Sequence, residues 1–153
     1  MAPGGFRKVD DNVFVAGQLG PDDFAAAKAA GVRTVINNRP DGEAFDQLSS
    51  AEAERLARAA GLDYLHLPLA NGGPLLEVAE ALGRALGERE GPFLAYCRSG
   101  TRSCHLWALS AVRERPVEAV IAAAAGAGYD LGGARPLLER AAAAGPAQAT
   151  SQT

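Results

Sequence analysis

Hydrophobic positions along the chain fall into short runs, separated by longer stretches in which apolar residues recur every three or four places. Val13-Phe14-Val15-Ala16 is β-branched and aromatic and closes on Gly17, which predicts a first strand. Pro21 follows as a first helical residue, with Asp22 and Asp23 where carboxylates favour the helix dipole. This helix is expected to run through Ala30 and to stop at Gly31. Thr34-Val35-Ile36-Asn37 predicts a second strand, ended by the polar turn Asn38-Arg39-Pro40-Asp41-Gly42-Glu43. Ser49 and Glu52 form a capping box for a second helix that ends before Gly61. Residues 64–67 predict a third strand, followed by Pro68 and the loop Asn71-Gly72-Gly73-Pro74. A third helix is expected over 75–89, with Leu75, Val78, Ala79, Leu82 and Leu86 on one face, and Gly91-Pro92 breaks it. Residues 93–96 predict a fourth strand. A helix starting near Arg102 carries Leu106, Trp107 and Leu109 into the core and runs toward Arg115. Two alanine-rich helical segments follow, at about 117–125 and 134–144, and the polar tail 145–153 is expected to be disordered.

Strands alternating with helices predict an α/β fold, a small parallel-type sheet flanked by helices. With 153 residues and no long linker, the chain reads as one domain over 6–144. The charge balance of 15 basic against 18 acidic side chains, net −3, lacks the basic footprint of a nucleic-acid binder. Residues 1–7 hold no apolar signal segment, and the most apolar stretch, 119–127, is interrupted by Gly126 and far shorter than the roughly 20 residues of a membrane span. A cytoplasmic protein that engages no membrane is the expectation. Two cysteines, Cys97 and Cys104, are too few for a disulfide scaffold or a four-cysteine metal site. His66 and His105 show no ligand spacing with either, so no metal and no cofactor are expected.

The chemistry concentrates in Phe93-Leu94-Ala95-Tyr96-Cys97-Arg98-Ser99-Gly100-Thr101-Arg102-Ser103, where a hydrophobic strand ends directly in a cysteine. Ligands of open α/β sheets bind beyond the carboxyl ends of the strands. A glycine-containing loop there can turn its N–H groups inward as an anion cradle, and the following helix adds its positive end. Arg98 and Arg102 add fixed positive charge. Together these favour a thiolate at Cys97, a nucleophile already surrounded by anion-binding donors. Arg39, Asp41 and Glu43 lie on the same rim. There Arg39 is a candidate to hold an anionic substrate and Asp41 to orient an arginine, although Pro, Asp and Gly are also simply good turn formers. Cys104 reads as helix packing, with the resolving of an oxidised Cys97 as its alternative role; His66 and His105 read as structural or surface residues.

The Cys-x-x-Gly-x-Arg loop resembles the active-site loops of rhodanese sulfurtransferases and, less closely, those of Cys-based phosphatases. The stretches VFVAGQLGPDDFAAAKAAGVRTVINNRPDGE (13–43) and LAYCRSGTRS (94–103) resemble more specifically the beta-lactamase-hydrolase-like family of small bacterial proteins. That family has a dual-specificity-phosphatase-like fold and is often described as sulfur transferases. The likeness covers about residues 6–112 and leaves the alanine-rich end outside it. It implies Cys97 as nucleophile with Arg102 as its catalytic partner. Arg98, Ser99, Gly100, Thr101, Ser103, Arg39 and Asp41 are the candidate substrate-binding residues.

Three departures from the phosphatase pattern His-Cys-x5-Arg bear on the reaction. Arg102 lies five positions after Cys97, Tyr96 stands where the histidine would be, and the loop after the third strand, Pro68-Leu69-Ala70-Asn71-Gly72-Gly73, carries no acid. Sulfur transfer needs no such acid, so the sequence favours a rhodanese-type transfer. In it a small anionic sulfur donor, thiosulfate or a persulfide, would pass sulfane sulfur through a Cys97 persulfide to a thiol or cyanide. The alternatives are a Cys-dependent phosphatase and a non-catalytic module that senses an anion or persulfide. The family likeness further suggests work alongside persulfide-metabolising enzymes, and the alanine-rich helices are the place to look for a partner or for self-association.

Overall fold

The computed structural model describes residues 5–145; the expected disordered tail falls almost wholly outside them. The elements are β1 (Arg7–Asp10), β2 (Val13–Ala16), α1 (Asp23–Ala29), β3 (Thr34–Asn37), α2 (Ser50–Ala59) and β4 (Asp63–His66). They continue with α3 (Leu75–Glu88), β5 (Phe93–Tyr96), α4 (Thr101–Ala111), α5 (Val117–Gly126) and α6 (Arg135–Ala143). The five strands order as β1-β2-β5-β3-β4. All neighbours run parallel except β1, which pairs antiparallel with β2. This is the expected α/β fold, with one unexpected strand. Arg7-Lys8-Val9-Asp10 has one buried side chain, Val9, and is held by main-chain pairing at the sheet edge rather than by an apolar pattern.

The remaining differences are at element ends. Helix α1 starts at Asp23 and not at Pro21, because Asp23 closes a turn on Gly20: its N–H donates to the Gly20 carbonyl, and its carboxylate accepts the Gly20 N–H at 2.8 Å. Helix α4 ends at Ala111, well before Arg115, and β4 lies one residue earlier than the apolar run suggests.

Side chains alternate along the strands and build two cores. On one face Ile36, Phe93 and Ala95 pack with α3, α4, α5 and α6. On the other Val35, Leu94 and Tyr96 pack with Phe24 and Ala27 of α1 and Ala53 and Ala57 of α2. The central strand β5 has all four residues buried, as a parallel strand covered on both faces must. The register places Ala16, Tyr96, Asn37 and His66 side by side, so four strands end on one rim. Helix α1 leaves that rim across one face and α4 across the other. The loop after β5 therefore opens at the switch point where such sheets hold ligands. None of the described helices is long and apolar enough to cross a membrane.

At the opposite end of the sheet, Asp10 accepts the Trp107 indole N–H at 3.0 Å and the Arg115 guanidinium at 2.7 Å, fastening β1 to α4. Asp10→Ala leaves the largely buried indole without its acceptor, and unfolding in urea should show a loss of ~1–2 kcal/mol. An unchanged midpoint would mean that this tie contributes nothing to the edge strand.

Candidate active site

The loop between β5 and α4 is Cys97-Arg98-Ser99-Gly100, and α4 begins at Thr101. Gly100 caps the helix with φ +95°, a left-handed conformation that bends the chain back over the cysteine. Its N–H donates to Cys97 Sγ at 3.1 Å. The sulfur is buried, at the end of the central strand and before the first turn of α4, so one backbone donor and the positive helix end both face it. A side chain at Gly100 has no space: a Cβ would sit 2.1 Å from the Tyr129 hydroxyl oxygen. Tyr129, just after α5, donates its hydroxyl weakly to the Ser99 carbonyl at 3.4 Å and so backs the loop from behind.

Arg102 is in the first turn of α4. Its guanidinium donates twice to Glu43, at 2.7 and 2.8 Å, and once to the Leu69 carbonyl at 2.8 Å. The hydrogen bond to Glu43 holds it in the charged form, against partial burial that opposes the charge; the nearby Cys97 thiolate adds to the effect. Arg39, at the end of β3, is 4 % exposed. It donates from Nε to the same Glu43 at 2.8 Å and from Nη1 to Gln18 at 2.9 Å. Two guanidinium groups therefore share one carboxylate. The hydrogen bond from Arg102, reinforced by Arg39 against burial, pulls the Glu43 carboxyl down to about 2.

The structure corrects three placements. Asp41 does not orient an arginine: its carboxylate accepts the Ser50 N–H at 2.7 Å at the start of α2, and Glu43, two residues on, does the orienting. Ser103 does not face a substrate, because its fully buried hydroxyl donates to Asn38 Oδ1 at 2.7 Å. Arg98 has its side chain in solvent and secures the loop only through its carbonyl, which accepts the Gln18 N–H at 3.1 Å. Ser99 and Thr101 are exposed at the loop tip, with their hydroxyls 3.1 Å apart. Cys97 and Gly100 thus meet directly, Arg102 and Arg39 meet on Glu43, and Ser99 and Thr101 lie exposed on the loop between.

Three further residues build the site. Glu43 was visible as a rim carboxylate. Gln18 is a polar residue right after a strand and glycine, the only signal it gave. Asn38 joins β3 to α4 through Ser103 and to the β4 rim through the Leu67 carbonyl at 2.9 Å. His66 anchors the Arg39 carbonyl at 2.9 Å, in line with a structural role. Cys104 is fully buried, and burial first, then the charge of Cys97, pushes its thiol up to about 12. A protonated thiol there fits packing better than disulfide exchange.

Two substitutions probe this geometry. Gly100→Ala meets both the backbone conformation and Tyr129, so it should lower stability by more than ~1 kcal/mol in denaturant unfolding; a neutral result would deny the close approach. Glu43 is depressed from 4.5 to about 2, so its stabilising share is complete above the upper value and is lost as pH falls through the lower one. Glu43→Gln should cost ~1–3 kcal/mol at neutral pH and flatten the acid limb of the stability profile. An acid limb identical to wild type would contradict the shared-carboxylate geometry.

The comparisons with known proteins agree with this architecture. A family model described as "Beta-lactamase hydrolase-like protein, phosphatase-like domain" matches residues 5–114. The Beta-lactamase hydrolase-like protein of Agrobacterium fabrum is 34% identical over 143 residues, which is 91% of this chain and 33% of that protein. Its namesake from Xylella fastidiosa strain 9a5c is 35% identical over 134 residues, 86% of this chain and 31% of that one. The chain spans about a third of the length of these relatives. Among solved structures, a candidate phosphatase from Neisseria meningitidis shares 31% identity at a TM-score of 0.81, covering 90% of this chain and 98% of that one. Tk-PTP in its active form shares 18% identity at a TM-score of 0.70, covering 93% and 97%, a likeness of fold alone. The family match takes in the whole sheet, the Cys97 loop and both arginines of the site, so this chain belongs to the beta-lactamase hydrolase-like family through its phosphatase-like domain.

Proposed function

We propose that the chain is a cysteine-dependent enzyme that transfers a small anionic group through a covalent adduct on Cys97, with phosphate esters as the first substrate class. The observation that carries this reading is the convergence of a buried sulfur, the Gly100 N–H and the Arg102 guanidinium at the end of the central strand. The phosphatase-like family and the Neisseria meningitidis structure support phosphate as the group transferred.

In this reading the Cys97 thiolate attacks phosphorus, an S–P bond forms and the bond to the leaving oxygen breaks. Arg102 and the N–H groups at the start of α4 neutralise charge on the equatorial oxygens. Water then attacks the phosphocysteine, the S–P bond breaks, and inorganic phosphate leaves with the thiolate restored. An aryloxide leaves without needing a proton, whereas an alkoxide must take one from a group on the rim or from water.

A second reading, sulfur transfer, rests on a specific observation. Both carboxyls of the turn after β3 have other partners: Asp41 accepts the Ser50 N–H at the start of α2, and Glu43 is held ionised between two arginines. The cradle also has one residue fewer than Cys-x5-Arg. For thiosulfate, the thiolate would attack the outer sulfur, the S–S bond would break and sulfite would leave with the bonding pair. An acceptor thiolate would then take the sulfur from the Cys97 persulfide. Neither step calls for a carboxylic acid.

Side-by-side kinetics separate the readings. Aryl phosphate hydrolysis and thiosulfate:cyanide transfer are measured on wild type, Cys97→Ser and Arg102→Lys. The first reading expects aryl phosphate turnover that Cys97→Ser abolishes and Arg102→Lys lowers about 100-fold. Turnover with thiosulfate alone would install the second. Activity that survives in Cys97→Ser would overturn both.

A further inference from the structure

Beside Arg102 lies a cavity of about 280 Å³ that the chemistry above does not use. Its walls are mainly apolar and include Leu69, Ala70, Gly73, Leu75 and His105, with Arg102 at one edge. It occupies the space over the loop after β4, where the small residues Ala70 to Gly73 carry no large side chain inward. A six-membered ring needs about 150 Å³, so there is room for one. The Leu69 carbonyl that accepts from Arg102 joins the two spaces: the residue that fixes the guanidinium on one side walls the cavity on the other.

We infer that this cavity is a second subsite of the same active site and receives an apolar, ring-sized substituent attached to the reacting anion. The inference rests on Cys97 and Arg102 binding that anion, as proposed above, and adds a substrate class to it: aryl or similarly compact hydrophobic anions in preference to polar ones. Charge complementarity sets the orientation. The anionic end is held by the guanidinium of Arg102, and the apolar wall of Leu69, Ala70 and Leu75 receives the substituent. His105 supplies polar lining to the subsite, together with Asn71 and Thr101. Its Nδ1 lies 2.9 Å from the Thr101 carbonyl, which can only accept, so Nδ1 carries the hydrogen and Nε2 is the nitrogen left for a ligand.

The test uses binding to Cys97→Ser protein, which separates recognition from turnover. Dissociation constants are measured for phenylphosphonate and methylphosphonate, which share the anion and differ in the substituent. Burying a phenyl ring should make the first bind about tenfold tighter. Two substitutions outside the anion site should erase that ratio while leaving methylphosphonate binding within about twofold: Ala70→Leu, which fills the cavity, and Leu75→Asn, which makes its wall polar. Equal affinities for the two phosphonates, or a ratio that both variants retain, would overturn the subsite while leaving the anion site intact. Failure of both phosphonates to bind would instead overturn the phosphate reading of the anion site, and the subsite with it. The same contrast holds for sulfur donors: on wild type, benzenethiosulfonate should persulfidate Cys97 faster than thiosulfate, releasing benzenesulfinate, and lose that advantage in Ala70→Leu.

Discussion

One carboxylate between two guanidinium groups organises the rim of this protein. Glu43 accepts from Arg39, which is almost completely buried, and from Arg102, which lies in the first turn of the helix after Cys97. Each arginine gives one further hydrogen bond to a different strand end: Arg39 to Gln18 after β2, Arg102 to the Leu69 carbonyl after β4. The loops that follow β2, β3 and β4 are thereby tied to the first turn of α4, the helix that follows the Cys97 loop. Buried or partly buried arginines demand a partner, because an unpaired charge in that setting costs several kcal/mol. Glu43 meets the demand for both, and so fixes their geometry before any substrate arrives.

In the proposed reading a chain of net charge −3 selects an anion through this local arrangement and not through its overall charge. The overall charge acts at a distance and is screened within about 10 Å at ordinary ionic strength. Within the cradle, the sulfur accepts the Gly100 N–H at the start of α4, and the Arg102 guanidinium is near enough to interact with its charge. Glu43 offsets part of that positive charge while it holds both guanidinium groups in place.

Much of this was legible in the residues. The four parallel strands and the first four helices announce themselves by period and punctuation, and Cys97-x-x-Gly100-x-Arg102 marks the site by composition. What the sequence could not decide was direction. Asp41 and Glu43 are equivalent carboxylates two residues apart in one turn, and only the folded turn sends one to α2 and the other to the arginines. Ser103 belongs to the loop motif, yet the pitch of α4 turns it inward to Asn38. Strand β1 lacked an apolar alternation because it is held at an edge by main-chain bonds. The alanine-rich end, which gave little signal, carries Val120, Ala124, Leu131 and Leu138 into the main core and places Tyr129 behind Gly100. Contacts between segments distant in sequence leave no local trace, and the site is built from them.

The central claim is that Cys97, and not its buried neighbour, forms the covalent intermediate. Rapid acid quenching after mixing with an aryl phosphate, or with thiosulfate, followed by peptide mass mapping, reads this directly. The account predicts that at least one of the two reagents leaves its phosphoryl group or its sulfur on the Cys97 peptide, undiminished in Cys104→Ala and absent from Cys97→Ser. No adduct from either reagent, or one carried on Cys104, would contradict it.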